Sequence, residues 1–510
     1  MPFIVGKAAR EHELYTRLKD FVTGVGFIGQ VTKSGAGKGR MIDFRAPNVA
    51  FLHEKYSLAC KATAAYGGSF TITSSLRGAL QDADVNKVYA DERVQFYLDF
   101  GPTNFVVGDT FDLKFADYSA ASKPKLSAVA AKGGTRTETI TLTCSRAGIA
   151  GVPNTPAQFS VAGSVSGSLG TATQGVEFSS AAIGFTVALG DVTSQAQQFA
   201  LNDTITVYTT ENELRAAGQQ WTTLRDPKFA AGATDLQFGA ALPPNDSEWL
   251  FKGPGLSGTD EIFCGIRRSW DNSVGYAQWE LTGSRGYASS LLYNEQPGTI
   301  PQANRPYMQM WSGELPYWIS VSGRRITLKI RNNTYYMDLY LGLGIPWGSP
   351  KFQPYMLCVG GSSGNSGGTW TTLSTENSNF WASRAGERNR ASMQALNRSG
   401  AWQGHVARYN NNRGDAYYDS GWADSDDKSI WPYRGNGMQK VRENLDGTTP
   451  LLPVTLFPDM GEIDGIYAIS GFGNIQPEDL IWHPTTNKKL VVGTNTYRNS
   501  TEDFVAMELI

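Results

Sequence analysis

Phe105-Val-Val-Gly-Asp-Thr-Phe111 and Phe199-Ala-Leu-Asn-Asp-Thr-Ile205 are two versions of one phrase, with their aspartates 94 residues apart. Working outward from them, Phe70, Ile72, Ser75, Leu76 and Gly78 match Phe159, Val161, Ser164, Val165 and Gly167 at an offset of 89. Val94, Phe96 and Gly101 match Ile183, Phe185 and Gly190 at the same offset. Cys60, closing Tyr-Ser-Leu-Ala-Cys, matches Cys144, closing Ile-Thr-Leu-Thr-Cys, at an offset of 84. The offsets step by five, as insertions in loops between fixed strand faces do, because loops absorb length at little cost. Through Tyr56–Leu113 and Ile140–Val207, apolar and polar residues alternate in short runs bounded by glycine, the pattern of half-buried strands. Two tandem β-sandwich-like modules of roughly 85–95 residues are expected, with the two cysteines facing the cores as small apolar residues.

The rest of the chain has a different composition. All 13 Trp lie at or after Trp221, as do 15 of the 22 Tyr. A break that sharp places a domain boundary near Glu211–Asp226, where Glu211–Gly218 can form a short linking helix. Before the modules, Leu14, Tyr15, Leu18, Phe21 and Val22 form one apolar stripe at helical spacing over Arg10–Val22. That helix either covers its own domain or docks as an arm on a neighbouring subunit, the first being the commoner use of such a stripe. In the Trp-rich half, Trp318–Arg331 is a hairpin with its turn at Ser322-Gly323, and Tyr335–Gly342, Ile466–Ser470, Lys489–Val492 and Phe504–Leu509 read as further strands. The expected fold is mainly β: an N-terminal helical arm (1–30), a first β-module (31–120), a second that repeats it (121–212), and a larger Trp-rich β-sandwich or jelly-roll-like region (213–510). That last region carries a long polar, aromatic loop over 379–437.

Composition narrows the function. The chain has 510 residues and a formal net charge of −2, which removes the clustered positive field that nucleic acid or an anionic membrane demands. No apolar run approaches the ~20 residues of a membrane helix, and the first residues lack a secretory signal, so a soluble protein made inside a cell is expected. Cys60, Cys144, Cys264 and Cys358 are too far apart for a local zinc site or a dense disulfide framework. Charged residues make up only 18%, against roughly a quarter in ordinary domains, and Ser, Thr, Asn and Gly take their place. Uncharged surfaces of this kind suit proteins whose faces are covered by neighbouring copies, since burying charge is costly.

The motifs that could carry chemistry are weak. Gly24-Val-Gly-Phe-Ile-Gly29 has the letters of a dinucleotide fingerprint, but a helix precedes it where a strand should, so it is expected to be a helix stop. Lys33-Ser-Gly-Ala-Gly-Lys-Gly-Arg40 lacks the Gly-Lys-Ser/Thr ending of a phosphate loop and is expected to be a mobile, solvated or subunit-contacting loop. His12, His53, His405 and His483 share no local metal spacing. Gly163-Ser-Val-Ser-Gly167 has the letters of a nucleophile elbow but sits inside the β-repeat. Asp415, Asp419, Asp424, Asp426 and Asp427 fail the EF-hand pattern. Asp271 and Glu280 could pair for glycoside cleavage only as any acidic, aromatic stretch could. No catalytic, cofactor or metal residue is therefore assigned, and no cofactor is expected. The better lead is aromatic: Trp402, Tyr409, Tyr417, Tyr418, Trp422, Trp431 and Tyr433 are interleaved with Asn, Asp and Arg, a mixture used both in protein interfaces and in sugar binding.

Gly461-Glu-Ile-Asp-Gly-Ile-Tyr-Ala-Ile-Ser-Gly471, with Leu490–Arg498 and Asp503–Leu509, resembles the ending of a family of tailed-bacteriophage virion structural proteins. Trp221–Asp226 leading to Phe251–Leu256, and Trp318–Arg331 with Tyr335–Gly342, are similar to the same family, so the resemblance covers roughly 220–510. The repeats of the first half also look like modules of phage tail and baseplate proteins, whereas 379–437 has no counterpart. The resemblance implies a non-enzymatic tail, baseplate or collar component, assembled in the host cytoplasm and located in the virion. Its partners would be copies of itself and other virion proteins. A receptor-binding or fibre protein contacting host surface glycan, or a polysaccharide-degrading tail enzyme, are the alternatives.

Overall fold

The computed structural model describes residues 2–64, 67–101, 104–119, 123–151, 155–225, 247–255, 261–271, 276–311, 313–333, 335–348, 355–361, 393–405, 407–408, 451–456, 461–469, 475–483, 486–494 and 504–509. The chain is mainly β, built of antiparallel sheets, and divides into two compact units. One holds Ile4–Gly6 and Thr23–Ala217; the other holds Met1–Phe3, Lys7–Val22 and Gly218–Ile510.

The Thr23–Ala217 unit contains the two modules, and their correspondence extends to individual hydrogen bonds. In the first, Tyr56–Ala64 lies between Gly67–Ser74 and Thr110–Lys114, with Cys60 opposite Phe70. In the second, Glu138–Arg146 lies between Gln158–Gly163 and Thr204–Thr210, with Cys144 opposite Phe159. Each cysteine exchanges backbone bonds with its Asp turn: Cys60 N–H to the Asp109 carbonyl at 2.8 Å, Cys144 N–H to that of Asp203 at 2.8 Å. Phe70 meets Phe105 edge-on at 4.9 Å, and Phe159 meets Phe199 in the same geometry at 4.9 Å. Tyr89 stacks on Phe96 as Phe178 stacks on Phe185. Both cysteines are buried, and burial raises both thiol pKa values.

The modules are larger than the alternation suggests. Gln30–Ser34 pairs with Thr110–Lys114, and Ala116–Tyr118 takes the matching edge against Thr204–Thr210. Arg40–Arg45 with Gln95–Asp99, and Leu126–Ala131 with Ile183–Val187, form the second layers. Phe27–Ile28 pairs with the end of Thr204–Thr210, so one short run of chain is a strand of the second module and then of the first. The Gln30 amide fastens that crossing, donating to the carbonyls of Glu138 (2.8 Å) and Thr209 (3.0 Å).

Among the described residues, the other unit contains three antiparallel sheets, each made largely of strands adjacent in sequence. Thr222–Arg225, Ser247–Gly253, Ile262–Asp271, Tyr276–Ser284 and Tyr307–Trp311 form one. Leu315–Val321, Arg325–Asn332, Tyr335–Leu343, Leu357–Gly360, Met393–Leu396 and Trp402–His405 run in order through a second. Gly461–Ile469, Phe504–Leu509 and Lys489–Thr494 centre the third.

In Arg325–Asn332 the apolar Ile326, Leu328 and Ile330 are buried, but so are the alternating Arg325, Thr327 and Lys329. A strand covered on both faces must partner its polar side. Lys329 Nζ lies 2.6 Å from Asp338 and Arg325 Nη2 3.1 Å from Glu508. The helix forms over Glu11–Val22, and the five stripe residues are all buried. It packs on its own chain: Tyr15 meets Trp279 edge-on at 5.5 Å and Trp249 at 6.3 Å. Glu11 accepts both Arg268 Nε (2.6 Å) and Nη2 (2.7 Å), and the Trp279 indole N–H as well.

Candidate interaction surface

Two sites recur in both modules, and each holds an aliphatic side chain out in solvent. The first is the hairpin tip. In the second module, Glu138 is 2% exposed and aims its carboxylate into the turn Gly163–Gly167. It accepts the N–H groups of Val165 (2.9 Å) and Ser166 (2.8 Å) and the Ser166 hydroxyl. Burial alone would raise the pKa of Glu138, but these bonds and nearby Arg136 overcome it and hold the carboxyl below its usual range. Gly163 makes this approach possible, because a Cβ there would collide with the carboxylate.

In the first module Ser74 occupies that position and relays the contact. Its hydroxyl donates to buried Glu54 and accepts from the Leu76 (3.1 Å) and Arg77 (3.0 Å) N–H groups. Glu54 also receives Arg77 Nε at 2.7 Å and Arg93 Nη1 at 3.3 Å. Opposed by burial, the bonds from Ser74, Arg77 and Arg93 still lower its pKa. The chemistry differs but the product is the same: a rigid tip presenting Leu76 (50% exposed) or Val165 (67%).

The second site is the Asp turn at the far end of the same strands. Asp109 accepts the Val106 N–H at 2.9 Å, and Asp203 accepts the Ala200 N–H at 2.7 Å. The turns expose Val107 (61%) and Leu201 (58%) at equivalent positions. Isolated exposed aliphatics are ordinary. Their recurrence at matching places in two modules, each on a turn fixed by a carboxylate directly or, for Leu76, through Ser74, marks preorganised contact points.

Several expected candidates are already engaged. Of the aromatic set, Trp402 donates its indole N–H to the Gly298 carbonyl at 2.6 Å and sets its ring against Gly283, bridging sheets. Tyr409, Tyr417, Tyr418, Trp422, Trp431 and Tyr433 lie outside the described residues, as do Asp415, Asp419, Asp424, Asp426 and Asp427. Lys33–Arg40 is pinned: Gly37 N–H donates to Asp109 at 3.2 Å and Lys33 Nζ to the Gly37 carbonyl at 2.6 Å. Asp271 and the residue opposite Glu280, Arg267, are four positions apart on one strand, roughly 13 Å. Glu280 is itself committed to Arg305 at 2.7 Å. Among the described residues no group of three or more His, Cys, Asp or Glu could hold a metal ion, and no helix is long and apolar enough to cross a membrane. No protein-family profile and no curated protein sequence matches the chain.

The carboxylate anchors were missed in the sequence. The signal available was an acid at matching offsets, Glu54 and Glu138, each at the foot of a core strand and 84 residues apart.

Proposed function

We propose that this chain is a non-enzymatic structural component of a tailed-phage virion, belonging to the tail, baseplate or collar and acting as a homo-oligomer. The single observation carrying the assembly role is the matched exposure of Leu76 with Val165 and of Val107 with Leu201. Burying an aliphatic side chain fully stabilises by about 1.5–3 kcal/mol, so four preorganised ones supply a substantial part of a subunit contact. The phage assignment is supported by the resemblance of the C-terminal segments. Sedimentation velocity over a wide concentration range, with Leu76→Asp combined with Val165→Asp, tests the assembly. The natural sequence should self-associate and the double variant should do so more weakly with its fold intact. A chain that stays monomeric at every concentration and never co-sediments with particles would overturn the proposal.

A further inference from the structure

We infer that Gly167–Thr173 is a self-pairing sheet edge, through which a second copy of this chain adds its own Gly167–Thr173. This rests on the self-assembly proposed above and names a surface that makes it. The six-stranded sheet of the second module ends on this strand. Among the described residues, its pairing runs along one side only, to Gln158–Gly163. A sheet edge of that length is a row of unspent donors and acceptors, and proteins usually blunt it with charge, proline or interruption.

The first module shows that blunting at the same place. Its edge strand is only Gly78–Ala79, after which the chain turns and returns as Ala83–Asp84. Charge surrounds it, with Asp82 paired to Lys61 and Asp84 to Lys87 (2.9 Å). In the second module the edge is one seven-residue strand, Gly-Ser-Leu-Gly-Thr-Ala-Thr, without a charge or a proline. One copy of a single design is blunted by charge and interruption, while the other carries only a bulge at Leu169.

The geometry favours a second copy over an unrelated strand. The ladder has one irregularity, where Leu169 stands unopposed and Gly170 adopts φ +121°, and Gly170 is the middle residue of the strand. A two-fold axis between Leu169 and Gly170 sets Ser168 opposite the second copy's Thr171 and Leu169 opposite its Gly170, so facing residues lie on the same side of the sheet and the interface closes on itself. Ser168 and Thr171 are exposed on one face, giving uncharged hydroxyl neighbours across the axis. Ala172 belongs to the module core and half-buried Leu169 packs against it, so the added strand extends a face already apolar beneath.

The four native cysteines are all buried, leaving an engineered thiol as the reactive one. Thr171→Cys in the full chain, treated with a short thiol cross-linker, should give a covalent dimer; Ala79→Cys at the matching first-module edge should not. Ser168→Lys with Thr171→Lys sets four like charges across the axis and should raise the dimer dissociation constant roughly tenfold or more in sedimentation velocity. If the lysine variant associates like the natural chain and Thr171→Cys gives no dimer, this edge is not the interface, although self-assembly stands. If Ala79→Cys cross-links equally, the distinction between the edges fails. If the natural chain is monomeric throughout, both proposals fall.

Discussion

Glu138→Gln isolates what the buried carboxylate contributes to the hairpin tip. The substitution keeps the volume, and the amide oxygen can still accept the Val165 and Ser166 N–H groups that now sit at 2.9 and 2.8 Å. What it removes is the charge. Bonds to an ionised acceptor are worth about 1.5–3 kcal/mol each against about 1 for neutral ones. With three such bonds, and with the cost of burying the charge also gone, the net loss should be about 2 kcal/mol. For a unit of this size that is roughly 4–8 °C in Tm. The folded pKa lies below the ordinary glutamate value of 4.5. The stability it contributes is therefore fully present above that value and lost as pH falls through the lowered one. The gap between natural and variant proteins should close in acid. The Thr23–Ala217 unit has no Trp, so far-UV circular dichroism must follow it, while Trp emission reports on the other unit. A loss below about 0.5 kcal/mol at neutral pH, or a gap that persists in acid, would refute the carboxylate's role.

At the same tip, Gly163→Ala should cost about 1–3 kcal/mol because its methyl displaces the Glu138 carboxylate. Ser74→Ala in the first module should cost a similar amount for the opposite reason, leaving two turn N–H groups without their acceptor; paired chemical denaturation checks both. Glu11→Ala strands buried Arg268 and should cost about 3–5 kcal/mol, read as an earlier Trp-emission transition in denaturant. Burial pushes the Cys358 thiol up to about 12 and raises Cys60, Cys144 and Cys264 as well. A thiol reagent at pH 8 should therefore label none of them in the folded protein and all four in denaturant.

What sequence periodicity could show was the residues that repeat by packing. The stripe Leu14–Val22, the hairpin around Ser322 and the Cys60/Cys144 registers were legible because a buried face forces an alternation or a 3.6-residue spacing. Gln30–Ser34 was not, since Gln-Val-Thr-Lys-Ser offers a single apolar letter. Arg40–Arg45 holds Asp43 buried in its middle with φ +48°. In Arg325–Asn332 the alternation was real but its polar side does not face water; a second layer covers it, which no local pattern reveals. The tip anchors were hidden for another reason. Ser74 and Glu138 accept the N–H groups of equivalent turns from different strands, so the equivalence exists only in three dimensions.

The contact between Glu11 and Arg268 spans 257 positions of chain, and that between Glu11 and Trp279 spans 268. At about 5–20 residues per second, a ribosome needs somewhere near 13–50 seconds after making the first helix before its partners emerge. During that interval the apolar stripe has no cover of its own kind, and a chain broken off early never acquires it. Closing that helix is thus a step that only a chain grown past its midpoint can take, one that sets such chains apart from shorter fragments.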